Sequence, residues 1–125
     1  MSQENVELVR TIYRLWSSGE SAGHLIDPDL EYVNPPNAVE SGTRKGRAVL
    51  RKIREVYPDF RVEPERFVDA GDDIVVIGTA RGTAASGLEA QWQQGYVWTV
   101  RNKIAIRFRW FNQPEEALKA VGLKE

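Results

Sequence analysis

The chain has no cysteine among its 125 residues. Disulfides, thiol nucleophiles and thiolate metal centres are thereby excluded. A single histidine, His24, rules out a zinc centre built from several imidazoles. Charge of neither sign dominates: 17 basic residues meet 18 acidic ones, for a net charge of −1. No overall field therefore draws in nucleic acid, an anionic membrane or a polyanionic substrate. No stretch comes near the roughly 20 successive apolar residues that span a bilayer. The opening MSQENVELVRTIYRLW carries charges throughout and holds no apolar core of signal-peptide length. These absences point to a cytoplasmic protein with no membrane, nucleic-acid, metal or cofactor partner. Repeats, linkers and low-complexity tracts are missing too, and 125 residues with 42% hydrophobic content suit one core. Residues 1–125 are expected to form a single domain.

What is present sorts by periodicity. Val6, Val9, Tyr13 and Trp16, widened by Leu8, Ile12 and Leu15, predict an amphipathic helix opened by Ser2 or Asn5 and stopped near Gly19. A second short helix is expected over Ala22 to Ile26, ended by Pro28, and a strand over Leu30 to Asn34, ended by Pro35 and Pro36. The segment NAVESGTRKG reads as a loop. After Gly46, Val49, Leu50, Ile53, Val56 and Tyr57 share one face of a third helix that Pro58 ends. Phe60 to Asp69 and IVVIGTARGT predict two strands around an Ala70-Gly71-Asp72-Asp73 turn, the second apolar on both faces and so central. A strand QWQQGYVWTV, a tight turn, a strand KIAIRFRWF and a helix from Asn112-Gln113-Pro114-Glu115 to Gly122 complete the order. Early helices followed by consecutive antiparallel strands argue an α+β fold with helices on one sheet face.

Residues two apart on a strand share a face, so Trp92, Gln94, Tyr96 and Trp98 line one side of the hairpin's first strand. Aromatic bodies interrupted by an amide suit a ligand wall as well as a core. On the second strand Ile106, Phe108 and Trp110 are expected to face inward and Arg107 and Arg109 outward; if the outward side is a dimer interface, Glu63 or Glu65 on another strand would pair with the arginines. Asp27, Asp29, Asp72 and Asp73 flank Pro or Gly and read as turn residues. Arg44, Lys45, Arg47, Arg51, Lys52 and Arg54 read as a solvated face. His24, without a placeable carboxylate, reads as structural or exposed, with acid–base work as the sharper alternative.

Taken together, ENVELVRTIYRLW, DPDLEYVNPP, the Gly46 helix entry, YPDFRVEPERFVDAGDDIVVIGTARGT and YVWTVRNKIAIRFRWFNQPEEALKAVGL resemble the SnoaL-like branch of the NTF2-like superfamily. The resemblance implies a cone: a strongly curved antiparallel, mixed-order sheet wrapped around the long N-terminal helix, with two further early helices and a short C-terminal one. It also implies a pocket at the wide end and a homodimer through the convex sheet face. Ketosteroid isomerases of this superfamily carry a general-base aspartate where Tyr32-Val33-Asn34-Pro35 stands here, so that position is Asn34. Their oxyanion-hole tyrosine falls at Ile12 or Tyr13 and their protonated aspartate near Tyr96. An amide takes no proton at neutral pH but does hydrogen-bond a carbonyl. Epoxide-hydrolase relatives need an Asp-Arg-Asp relay, and Arg81 shares a face with Val75, Ile77 and Thr79 with no Asp beside it.

Two readings follow. The first is a binder of a small apolar, carbonyl-bearing ligand, with Trp16, Tyr32, Asn34, Trp92, Gln94, Tyr96, Trp98, Phe108 and Trp110 as the lining. The second is a cofactor-free isomerase or cyclase, or a hydrolase or dehydratase, acting on a polyketide- or steroid-like substrate. Its catalytic candidates are Tyr96, Tyr13, Asn34 and His24.

Overall fold

Val6, Val9, Ile12 and Tyr13 are buried along one stripe of α1 (Ser2–Ser17). The helix ends where Gly19 takes φ +78° and the Glu20 amide donates back to the Leu15 carbonyl at 2.8 Å. This computed structural model describes residues 2–36, 38, 42–55 and 57–123, and only the backbone of 2, 47 and 51–53. Six strands follow α1: β1 (Ile26–Asn34), β2 (Gly42–Lys45), β3 (Arg61–Ala70), β4 (Asp73–Thr83), β5 (Glu89–Arg101) and β6 (Ile104–Phe111). A last helix, α2 (Pro114–Ala120), closes the chain. The sheet runs β2-β1-β6-β5-β4-β3.

The expected antiparallel sheet has one exception, since β1 lies parallel to β6. These two strands are joined by most of the chain and no hairpin dictates their direction. The two further early helices are both 3-10 turns. Gly23–Leu25 is too short for an α-helix because Ile26 already pairs with Ala105. Its strand runs straight through Pro28, where the β1–β6 register slips for want of an N–H. The second 3-10 element, Arg47–Glu55, connects β2 at one sheet edge with β3 at the other. At a rise of about 2.0 Å per residue it reaches farther than an α-helix at about 1.5 Å. Of its predicted stripe, Val56 and the Ile53 side chain lie outside the described residues. The loop before it contains β2, which pairs antiparallel with β1.

The helices do not share a face. Alongside α1 lie Leu30, Ile74, Val76, Tyr96, Trp98, Val100, Ala105 and Phe108, which make the inner core. Ala117 and Leu118 of α2 pack instead on Val75, Ile77 and Val97 of the outer face. The apolar-on-both-faces reading of β4 therefore holds, with the two layers supplied by different helices. At Gly95 an added Cβ would sit 2.6 Å from Ala117 Cβ, so glycine admits α2 to this distance. The cap of α2 is Gln113, with Glu116 completing the box, one residue after the expected Asn112. The tight turn between β5 and β6 sits at Asn102-Lys103, both with positive φ, one residue later than the Arg101-Asn102 left between the two expected strands.

Two bulges decide inward and outward. The β5–β6 register slips between Thr99 and Val100, so Ala105 joins the inner core where Ile106 was expected. In β3 the slip lies between Pro64 and Arg66. Strict alternation from Val62 would put Val68 inside; the bulge puts Phe67 there and Val68 outside.

Candidate ligand site

The inner faces of β1, β5 and β6 bring Tyr32, Tyr96, Trp98 and Phe108 together, because Tyr32 pairs with Phe108 and Phe108 with Trp98 across the ladder. Phe108 is the hub. Its ring lies 4.6 Å from Trp98, 5.3 Å from Tyr32 and 5.7 Å from Tyr96, stacked on the last. From α1, Tyr13 meets Trp98 edge-on at 6.1 Å and Trp16 meets it at 5.9 Å. Tyr13, Tyr96, Trp98 and Phe108 form a buried base. Trp16, Tyr32, Asn34, Gln94 and Trp110 are partly exposed and make a rim above it.

Three side-chain hydrogen bonds tie the polar groups. Trp98 Nε1 donates to the Tyr13 hydroxyl at 3.0 Å, in the buried base. The Tyr96 hydroxyl donates to Gln94 Oε1 at 2.8 Å. Trp110 Nε1 donates to Asn34 Oδ1 at 2.6 Å, since Asn34 follows the Val33–Arg109 pair at the ends of β1 and β6. The Tyr32 hydroxyl has no side-chain partner among the described residues.

The tyrosines share one electrostatic environment. Burial pushes the Tyr96 hydroxyl far above its ordinary range, and the neighbouring Tyr13 and Tyr32 hydroxyls push it further. Tyr13 rises through burial, offset in part by the bond from Trp98. Burial takes Tyr32 up to about 12. All three hydroxyls are therefore neutral hydrogen-bonding groups at physiological pH.

Two expected members stand apart. Trp92 shares the inner parity, but its ring packs on Tyr57 and Phe60 at 5.5 and 6.1 Å, toward the other end of β5. Strand parity gives the face and not the position along the strand. His24 sits exposed on the Gly23–Leu25 turn, and no bond among the described residues links it to the cluster. Phe67, which strict alternation hides, joins the base by an edge contact to Tyr13 at 6.2 Å, with the Arg10 guanidinium 4.4 Å over its ring.

The acids engage elsewhere. Glu31 pairs with Arg107 at 3.5 Å and Asp73 with Arg109 at 3.7 Å on the outer face. Glu63 binds Arg81, and Glu65 accepts from Thr79 and Gln93. The expected pairing of Arg107 and Arg109 with Glu63 or Glu65 does not form within the chain, because β5 and β4 separate β6 from β3. Asp59 accepts from the Thr83 amide at 2.6 Å and pins the end of β4. Among the described residues no hydrogen bond or ion pair joins a carboxylate or imidazole to Tyr13, Tyr32, Asn34, Gln94 or Tyr96. No three metal-binding side chains gather among the described residues, and no described helix is long and apolar enough to cross a membrane. An open depression of about 500 Å³ along α1, lined by Gln3, Glu7, Leu8 and Leu25 among others, holds none of the cluster residues.

Comparison with known proteins agrees with this architecture. A sequence model of the SnoaL-like domain matches residues 9–107. An NTF2-like protein of unknown function from Burkholderia pseudomallei is 26% identical, with a TM-score of 0.73 over 95% of this chain and 98% of that one. TerC, co-crystallised with polyporic acid, is 25% identical, with a TM-score of 0.72 over 94% of this chain and 98% of that one. A putative SnoaL-like polyketide cyclase from a Jannaschia species is 17% identical and shares the fold, with a TM-score of 0.72 over 98% and 94% of the two chains. Among curated proteins nothing matches.

Proposed function

The chain belongs to the SnoaL-like domain family, and from that premise we propose that it binds a small apolar, carbonyl-bearing ligand against the aromatic cluster of its inner face. One observation carries the reading: three neutral tyrosine hydroxyls and two amides gather at the rim and base of a single aromatic cluster. A few converging polar groups in an apolar wall are the signature of a small-molecule site. The Tyr32 hydroxyl, on the partly exposed rim and without a side-chain partner among the described residues, is available to a ligand. The polyporic acid in TerC supports a ligand site in this fold. Titration of polyporic acid and of simple aromatic ketones, followed by tryptophan fluorescence, tests the proposal. Saturable quenching that weakens in Trp110→Phe is expected, and absence of both quenching and thermal stabilisation would refute it.

The second reading, a cofactor-free isomerase or cyclase, draws on Tyr96 and Tyr13, which burial keeps protonated and able to polarise a carbonyl. It lacks a base at Asn34. Exchange of the α-protons of a bound ketone into deuterated water, read by NMR, separates the two; the binder leaves them in place. We place the protein in the cytoplasm, to be checked with a fluorescent fusion. We also propose pairing of two copies through the outer face, where Arg109 and Asp73 are largely covered. Light scattering on the purified chain decides that.

A further inference from the structure

Asn34 is held in one orientation by chemistry alone. An indole nitrogen only donates, so the atom it meets at 2.6 Å must be the amide oxygen. The usual competitor for that oxygen is the backbone N–H two residues on. Here that residue is Pro36, which has none. Pro35 further holds Asn34 in the extended region, continuing β1 with its side chain beside Trp110. The amide nitrogen consequently keeps two hydrogens and has no partner among the described residues.

We infer that Asn34, locked by Trp110 with its amide nitrogen at the rim and unpartnered among the described residues, is the residue that selects ligands: it admits those offering a carbonyl oxygen there and refuses those offering only an N–H. The inference rests on the proposed ligand site. Asn34 acts by direct contact; Trp110 is a positioning residue, since its part is to keep the oxygen away from the ligand. An N–H facing the locked amide meets a donor, and both groups are left unpaired out of water, whereas a carbonyl oxygen pairs with it.

Three bicycles of one shape separate these cases: 1-indanone carries an acceptor, indole a donor, and indane neither. Isothermal titration calorimetry on the wild-type chain is expected to give 1-indanone about tenfold tighter binding than indole, the difference of one satisfied against one frustrated hydrogen bond. Asn34→Leu should bring the indanone-to-indole ratio to about one. Asn34→Asp, near-isosteric and still an acceptor for Trp110, should reverse it, because an ionised carboxylate only accepts; it also serves if the leucine variant fails to fold. In Trp110→Phe the freed amide can turn, so the ratio should fall through a gain in indole affinity. A wild-type ratio of one or less, or a preference that survives Asn34→Leu or Asn34→Asp, overturns the role of Asn34. A preference unchanged in Trp110→Phe overturns the lock. Failure of all three bicycles to bind overturns the ligand site itself.

Discussion

Tyr13→Phe isolates a single hydrogen bond in the base of the cluster. The ring stays, and with it the edge contacts to Trp16 at 5.6 Å, Phe67 at 6.2 Å and Trp98 at 6.1 Å. What goes is the oxygen that accepts from Trp98 Nε1 at 3.0 Å. Trp98 is fully buried and its indole nitrogen only donates, so the variant leaves a buried donor unpaired, at a cost of roughly 1–3 kcal/mol. Part is recovered, because the Tyr13 O–H itself has no acceptor among the described residues and its burial cost disappears with it. The expected loss is therefore about 1–2 kcal/mol, at the lower end of that range. Urea unfolding followed by both tryptophan fluorescence and far-UV circular dichroism measures it, with the slope unchanged. A midpoint that does not move would show that water reaches the Trp98 nitrogen and that the base is not dry. A loss above about 3 kcal/mol would mean that ring packing, not the bond, had been disturbed.

Alkaline pH probes the same hydroxyls. Burial raises Tyr32 to about 12 in the folded chain, against about 10 unfolded, so its contribution is intact below about pH 10 and lost as pH rises toward 12; the phenolate absorbance that Tyr32→Phe removes should appear together with unfolding, and its appearance near pH 10 without unfolding would contradict this. At the acid end, Asp59 is held below the ordinary carboxylate range mainly by the Thr83 backbone amide. Its contribution is present above about pH 4 and lost as pH falls through the depressed folded value. Asp59→Ala should flatten that acid limb of the stability profile, and an unaltered limb would show that the Thr83 bond is dispensable. Gly95→Ala forces a Cβ to within 2.6 Å of Ala117 Cβ and should cost about 1–3 kcal/mol in urea unfolding, with partial rescue by Ala117→Gly.

The sequence by itself determined the family, five of the six strands in their order along the chain and the inward parity of Tyr96, Trp98, Phe108 and Trp110. All rest on local signals: a period of two on strands, a period near 3.6 on α1, and Gly or Pro at element ends. Tertiary structure decided what depends on more than one element. Bulges in β3 and β6 moved Phe67 and Ala105 inward, and a bulge is an irregularity of pairing that one strand cannot display. The crossing from one sheet edge to the other runs as a 3-10 element, although the spacing of Val49, Leu50 and Tyr57 alone suits an α-helix. Trp92 has the parity of Tyr96 and a different set of neighbours, because the strand carries it past the cluster to Tyr57 and Phe60. Asn34 shows the division most clearly. That an amide stands at position 34 is written in the chain; that its oxygen is occupied, with its nitrogen unpartnered among the described residues, follows only from Trp110, 76 residues away and on the strand parallel to it in the sheet.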